Sequence, residues 1–507
     1  MRSRLKSHLT EVSPTAFHSG LGRVDPVAVR LELARDLRED TTHEERVALL
    51  AALLHERHHW LQHVGTNAGL FGTLLLEFQT GMVEQLPLEE LRAGDLPLLA
   101  HEKRFAGPLG RWERFEATRR LFFGCRRGDL DVLVAAGRGP LWDELAPLTA
   151  EAMGRLLAGS PRVREYRAFL EAPDGHLPVT TEMLEVNRWS VGARHLMEGA
   201  ARQSETHRLL KAAIDGHRDA GAPAGKFAFD LSRPRTGVYG VARTVFDQFV
   251  GTPTAAADVG FAYACDLALN ACAPPLYPFV PVNPGMFFAH VAQRLGGFRF
   301  DRALNFTDPA AARALIAELT EHLRGGGPDL SLALDVRRRM VESFLGHLRP
   351  DEVAGQIFTD RGAGRLPVPT GPSSRLRYLL ALTAEAERVR ARAPEFLVFP
   401  SASFMADRAA FRETFGRIAP PLVAYGPGDL RASRRDPGWA EFFLATGVHY
   451  EVLRGLVMLD ARALGTGLAP YVRVAGGLVR TVLTGALRGA PVAGVIWRHA
   501  EAAAEGR

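Results

Sequence analysis

The residues most able to support catalysis in this sequence lie within one short stretch, Leu53–Gly65, which reads LLHERHHWLQHVG. Within it, His55, Glu56 and His59 form the pattern H-E-x-x-H. Residues four apart on an α-helix project from one face about one turn apart, so two imidazoles at this spacing can take two corners of a tetrahedral zinc site. A carboxylate beside the first ligand can accept a proton from a zinc-bound water, whose pKa the ion lowers. The spacing therefore predicts His55 and His59 as zinc ligands and Glu56 as the general base.

Two further histidines of this stretch are placed less favourably for binding the same ion. His58 lies about 100° around the helix from His59, so we do not expect it to be a ligand. His63 lies one turn beyond His59, and histidines at i, i+4 and i+8 span about 12 Å of helix, too far for one ion with ligands at about 2 Å. We expect His63 to contact a ligand or the substrate. The alternative interpretation is an amphipathic helix whose histidines are packed or solvated.

A zinc site needs a third protein ligand, and the residues after His59 do not continue to the third histidine of the metzincin pattern. The best candidate is Glu198, in a segment that begins at His195 and ends at Glu205. Both flanking residues share a helical face with Glu198, so we expect them to support the ligands or to contact substrate. The small residues 199–201 should let two metal-binding helices approach each other. An exposed acidic helix is the alternative.

Taken together, His55-Glu-x-x-His59 and the distant Glu198-Gly-x-Ala resemble the gluzincin branch of the zincin metallopeptidases. The resemblance implies a zincin-like fold, Zn²⁺ as cofactor, His55, His59 and Glu198 as ligands, Glu56 as general base, and hydrolysis of a peptide or amide bond. Where a thermolysin-like pattern has an orienting aspartate this sequence has Arg202, so Glu205 is expected to take that part.

The longer phrase H-E-x-x-H-x-x-Q, which ends at Gln62, also resembles one found in bacterial proteins of uncharacterised function. No activity follows from that likeness. The two likenesses together cover roughly 25 of the 507 residues.

Two other classes of function remain open on the same residues. Glu56-x-x-His59 is also the E-x-x-H of di-iron helical bundles, which would make the protein an iron-dependent tailoring enzyme or oxygenase. Such sites require a second E-x-x-H motif. The best candidate begins at Glu205, but its fourth position is Arg208 instead of histidine. The third class is a non-catalytic helical interaction protein.

The elements that must position these residues are predicted to be mainly helical. Thr42 and Glu45 form a capping box at the start of the helix that carries the motif. Strand-like segments are few, at 396–399 and 422–425. The helical runs lie at 26–38, 42–64, 67–85, 112–135, 178–215, 236–271, 308–347, 371–391 and 437–460.

We predict a mainly α fold in two parts. The first, residues 1–305, is a multi-helix zincin-like region with little β structure and a helical insertion at about 88–175. The second, 306–507, is a helical region of unknown role.

A proline-rich segment, Ala273–Gly285, cannot be helical because it holds five prolines in thirteen residues. We expect it to form a rigid loop near the motif helix, where Tyr277 could contact the substrate. Tyr239 and Tyr263 are alternative sources of a phenol that stabilises an oxyanion.

Composition limits the partners. The net charge of +5 is spread over 507 residues without a basic run that alternates with aromatics, so we expect no nucleic acid. No uncharged apolar stretch reaches the length of a membrane span, and the three cysteines cannot form a disulfide framework. We therefore expect a cytoplasmic protein that acts on a peptide or a small-molecule amide, with no protein partner indicated.

Overall fold

The computed structural model of the chain is mainly α, as the helical periodicity predicts. It describes residues 17–18, 22–25, 30–33, 42–126, 184–186, 189–218, 237–251, 254–271, 283–325, 338, 345–359, 373–425, 430–432 and 437–506. The α-helices are α1 His43–Gly65, α2 Asn67–Glu84, α3 Glu102–Phe123, α4 Ala193–Arg218, α5 Val241–Val250, α6 Ala255–Ala271, α7 Pro284–Leu295, α8 Pro309–Arg324, α9 Pro350–Thr359, α10 Ser373–Arg392, α11 Pro394–Val398, α12 Pro400–Ala406, α13 Arg408–Arg417, α14 Pro437–Met458, α15 Ala461–Ala486 and α16 Pro491–Ala504. Short 3₁₀ segments lie at Leu88–Glu90, Ala93–Asp95, Leu98–His101 and Gly237–Tyr239.

The described strands form two small sheets. Their bounds are β1 Phe17–His18, β2 Gly22–Asp25, β3 Arg30–Leu33, β4 Gly124–Arg126, β5 Glu185–Val186, β6 Trp189–Val191, β7 Leu422–Tyr425 and β8 Leu430–Ala432. The larger sheet has the order β1-β2-β3-β7-β8, in which β3 and β7 are parallel and the other neighbours antiparallel. The smaller sheet has the order β4-β6-β5 and is antiparallel.

Four local predictions are wrong and one is confirmed. The expected helical run 112–135 contains β4, and the run 178–215 contains β5 and β6. The expected helix over 26–38 contains strand β3, because its partner β7 lies almost the whole chain away and a local pattern cannot reveal such a pairing. The expected strand at 396–399 falls largely within helix α11, which begins at Pro394 as prolines often do. The expected strand at 422–425 is present as β7.

Helix α1 carries the motif and lies at the centre of the fold. Its start is fixed by the predicted capping box, in which the Thr42 hydroxyl accepts from the Glu45 N–H at 3.3 Å and the Glu45 carboxylate accepts from the Thr42 N–H at 3.1 Å. Its end is fixed by Thr66, whose hydroxyl donates to the Gln62 carbonyl at 2.6 Å and accepts from the N–H of Gly69 in α2 at 3.1 Å. Helices α2, α4 and α10 and the larger sheet pack around α1.

One continuous cluster of buried apolar side chains forms the main core and extends from Leu31 to Ala500. Residues on both sides of position 305 contribute to it, and the division of the chain at that position stays a prediction. Of the predicted insertion at 88–175, the structure describes residues up to Arg126, which form three 3₁₀ segments, α3 and β4.

A buried ion cluster stabilises α3 and its contact with α2. The Glu116 carboxylate accepts hydrogen bonds from Arg119 at 2.6 Å and from Arg120 at 3.1 Å, and from the Gln79 amide of α2 at 3.2 Å. Burial raises the pKa of Glu116, but Arg119 and Arg120 outweigh it and lower the pKa to about 2. The carboxylate is therefore charged and compensates two buried guanidinium groups.

We predict that Glu116→Gln lowers the free energy of unfolding by about 3–5 kcal/mol, because two buried cations lose their counter-charge. The measurement is urea-induced unfolding. The control is Glu318→Gln, in an exposed pair with Arg302 at 2.8 Å, which should change stability by less than about 1 kcal/mol. Equal effects of the two substitutions would contradict the prediction.

Candidate metal centre

Helices α1 and α4 pack together and bring His55, His59 and Glu198 into one buried group. All three side chains are fully buried. The Nε2 atoms of His55 and His59 lie 3.0 Å apart, and the Glu198 Oε2 atom lies 3.6 Å from the first and 3.3 Å from the second. The motif predicted the two histidines, and the packing of α4 on α1 brings the carboxylate from 139 residues later in the chain.

These three distances fit the donor set of a zinc ion. A tetrahedron whose corners lie about 2.0–2.1 Å from its centre has edges of about 3.3–3.4 Å. A point about 2.1 Å from all three atoms lies somewhat less than 1 Å out of their plane, so these atoms take three corners of a tetrahedron around it. Two imidazole nitrogens and one carboxylate oxygen are also the donors of several catalytic zinc sites.

The charges of the group are compatible with a bound cation. Burial disfavours a charged imidazole, but Glu198 and Glu205, with a further contribution from Glu56, raise the pKa of His55 to about 10. Burial would raise the pKa of Glu198, yet the two histidines hold it far below its usual value. The pKa of His59 is lowered, chiefly by burial. A proton on His55 balances the carboxylates here, and a divalent cation between the three ligand atoms can supply the same balance.

Each ligand histidine is oriented through its other ring nitrogen. His55 Nδ1 lies 3.2 Å from the Glu205 carboxylate, which Arg202 holds in turn at 2.6 Å. His59 Nδ1 lies 3.1 Å from the Gln62 side-chain oxygen, and the Gln62 amide donates to the Met197 carbonyl of α4 at 3.2 Å. With a metal bound, a proton on each Nδ1 facing these carboxyl and amide oxygens would leave both Nε2 atoms with a lone pair directed to the same point.

Glu56, the predicted general base, lies on α1 next to His55. Its side chain is fully buried beside the ligand group, and its charge raises the pKa of both His55 and Tyr239. A carboxylate in such a dry environment is strongly influenced by the charges around it.

Tyr239 is the phenol that the structure places at the group. It ends the 3₁₀ turn packed against α4, and its ring centroid lies 6.3 Å from that of His55. Of the other two predicted tyrosines, Tyr263 lies on α6 and shares a hydrogen bond of 2.7 Å with Thr320. Tyr277 and residues 273–282 of the proline-rich segment lie outside the described residues. The expectation that the segment is non-helical is wrong at its end, because Pro284 and Gly285 begin α7 and proline is well suited to the first position of a helix.

The remaining predicted histidines are buried close by on α1 and α4. His63 Nε2 lies 3.3 Å from the Thr73 hydroxyl of α2, and its ring packs 5.6 Å from that of Trp60. His195 Nδ1 accepts from the Gly192 N–H at 3.3 Å, which fixes the start of α4. His58 lies 2.9 Å from the Ser204 hydroxyl and outside the ligand group, as its angle on the helix predicts.

Sequence reasoning missed part of this arrangement. Gln62 was identified only as the last residue of the H-E-x-x-H-x-x-Q motif and was given no role. Its position three residues after His59 allows the observed contact with that ring. Arg194 was not singled out, although it lies one turn before Glu198, with its Nε atom 3.8 Å from Glu198 Oε1. The small residue Gly199 faces Phe261 of α6 and Ala242 of α5, so it allows the close approach of these two helices.

Comparisons of the chain with protein-family models, with curated proteins and with solved structures find no match. The geometry above is therefore what supports a metal centre, and it is compatible with the H-E-x-x-H motif. Among the helices in the described ranges, none is both long enough and apolar enough to cross a membrane.

We predict that the purified protein binds about one zinc ion per chain and that His59→Ala lowers its zinc affinity at least 100-fold, because one of three ligands is lost. The measurement is competition with a chromogenic chelator, together with elemental analysis. His290→Ala is the control, because His290 is exposed on α7 and should leave the affinity unchanged. Equal zinc affinities of the two variants would contradict the assignment.

We also predict that Glu205→Ala and Gln62→Ala each weaken zinc binding by about 10- to 100-fold, because the ring of one ligand is no longer held. The same chelator competition measures both effects. Glu413→Ala, which removes an exposed carboxylate of α13, serves as the control. Unchanged affinity in both variants would show that the two contacts do not position the ligands.

Proposed function

We propose that this protein is a zinc-dependent hydrolase that acts on a peptide or amide bond. The observation that carries the proposal is the group of three buried ligand atoms at tetrahedral spacing, with the Glu56 carboxylate on the same helix next to the first ligand. Three protein ligands with one open corner are typical of catalytic zinc sites, whereas structural sites usually have four.

The donor set favours zinc over a di-iron centre. Di-iron sites in helical bundles use carboxylates from four helices together with two E-x-x-H motifs. Within the described ranges, His55, His59 and Glu198 form the one group of this kind, and it contains a single carboxylate ligand. Glu205, a carboxylate that a di-iron site would recruit, instead contacts the Nδ1 atom of His55.

Zn²⁺ at this point would polarise a substrate carbonyl and make a water molecule acidic enough to react near neutral pH. Glu56 then performs the proton transfers. Its carboxylate accepts a proton from the attacking water and returns it to the leaving nitrogen, so that the amine departs neutral. The dry surroundings of Glu56 strengthen its interaction with each of these charges.

Tyr239 is suited to stabilise the carbonyl oxygen as negative charge develops on it. Burial and the nearby carboxylates raise the pKa of Tyr239, so the phenol keeps its proton and can donate it in a hydrogen bond. Such a donor acts most strongly in the transition state, where the oxygen carries most charge.

We predict that Glu56→Gln retains about one zinc ion per chain but loses peptide hydrolysis by at least about 10²-fold, because an amide of the same size cannot accept the proton. Hydrolysis is measured with a library of internally quenched fluorescent peptides, and zinc by elemental analysis. Glu413→Gln provides the matched control, since that carboxylate is exposed on α13.

Full turnover by Glu56→Gln would exclude Glu56 as the base. The metal analysis separates the other two classes of function, because two irons per chain would favour the oxygenase and absence of tightly bound metal would favour the interaction protein.

We predict that Tyr239→Phe lowers kcat by about 10²-fold with little change in KM, because the lost hydrogen bond forms chiefly in the transition state. Steady-state kinetics on the best peptide from the library measures this. Tyr263→Phe removes a phenol bonded to Thr320 and should keep wild-type kcat. Equal kcat values of Tyr239→Phe and Tyr263→Phe would contradict the proposed role of Tyr239 in stabilising the carbonyl oxygen.

A further inference from the structure

A guanidinium group with unused hydrogen-bonding capacity lies beside the ligand group. Arg194, on the first turn of α4, approaches the ligand Glu198, but its Nε atom stays 3.8 Å from Oε1, beyond hydrogen-bonding distance. Its side chain is 24 % exposed, and its buried Nε atom has no hydrogen-bond partner within the described ranges. A planar guanidinium presents five donors in a fork that matches a carboxylate.

The charge of Arg194 is directed to the site. Burial raises the pKa of Tyr239, and Arg194 opposes that rise. Burial lowers the pKa of His195 to about 4, and Arg194 acts in the same direction. The charge of Arg194 therefore acts on the pKa of the phenol proposed to contact the substrate and on that of His195, its neighbour in the chain.

The other arginine at the site is already engaged, because Arg202 pairs with Glu205 at 2.6 Å. With one Zn²⁺ bound, the two arginines and the carboxylates of Glu56, Glu198 and Glu205 leave a single positive charge when the histidines are neutral. A substrate with one negative charge would balance it, and Arg194 is the cation that has donors to offer.

We propose that Arg194 binds a carboxylate that lies immediately C-terminal to the scissile amide, so that the substrates are N-acyl amino acids or the C-terminal bonds of peptides. The inference rests on the proposed hydrolase function. In such substrates three bonds separate the scissile carbonyl carbon from the carboxylate carbon, a span of about 3–4 Å. The Glu198 carboxylate links the two positions, because its Oε2 atom lies 3.3 Å from His59 Nε2 and its Oε1 atom lies 3.8 Å from Arg194 Nε.

The experiment measures binding without turnover. Zinc-loaded Glu56→Gln protein is immobilised and exposed to an equimolar mixture of N-benzoylglycyl amino acids that covers all proteinogenic side chains, or to the matching C-terminal carboxamides. Mass spectrometry quantifies the retained compounds. We expect the acids to bind about 10- to 100-fold more tightly than the carboxamides, as for a hydrogen-bonded charge pair. A parallel mixture of N-benzoyl amino acids distinguishes small acylated amino acids from peptide ends.

Three variants in the same Glu56→Gln background provide the comparison. Arg194→Gln should bring acids and carboxamides to within about threefold of each other, and Arg194→Lys should retain part of the preference because it keeps the charge but not the fork. Lys211→Gln removes a cation about 26 Å further along α4 and should retain the whole preference. Zinc content and unfolding are measured on every variant.

The inference is overturned if the Glu56→Gln protein retains acids and carboxamides equally, or if Arg194→Gln keeps the preference for acids. Turnover by the wild-type protein tests the proposed function separately. If the acids bind tightly in an Arg194-dependent manner but are never hydrolysed, the proposed hydrolase function is contradicted and carboxylate binding by Arg194 is supported. Equal hydrolysis of acids and carboxamides would support the hydrolase and contradict the carboxylate site.

Discussion

The structure depends on the compensation of buried negative charge between helices α1 and α4. Glu56 and Glu198 are fully buried and Glu205 nearly so, and carboxylates without a counter-charge are strongly disfavoured in a protein interior. A single cation held by His55, His59 and Glu198 would remove much of this penalty. The mutual packing of α1 and α4 and the binding of that cation are therefore expected to stabilise each other.

The residues around His55, His59 and Glu198 chiefly orient these side chains and do not themselves belong to the ligand group. Glu205 and Gln62 orient one histidine each, and the Gln62 amide also bonds to the backbone of α4, which ties the orientation of a ligand to the packing of the two helices. Tyr239 and Arg194 lie beside the ligands but are not part of them. The proposed substrate contacts are therefore separate from the proposed metal ligands, so each can be altered by mutation without the other.

The motif residues were predictable from the sequence because they depend on local periodicity. The i to i+4 spacing of His55 and His59 and the capping box at Thr42 need only a helix, and the structure has that helix from His43 to Gly65. Glu198 was predicted as the third ligand because it begins the sequence Glu-Gly-x-Ala, which resembles the third-ligand motif of gluzincins. The contacts of Gln62 and Arg194 and the parallel pairing of β3 with β7 depend on packing between distant segments, which a local pattern does not encode.

The most direct test of the account is the anomalous scattering of a crystal of the zinc-loaded protein, measured on both sides of the zinc absorption edge. We predict one strong anomalous peak per chain, about 2.0–2.2 Å from His55 Nε2, His59 Nε2 and a carboxylate oxygen of Glu198. A chain without a peak at this position, or a peak bound by other residues, would contradict the account.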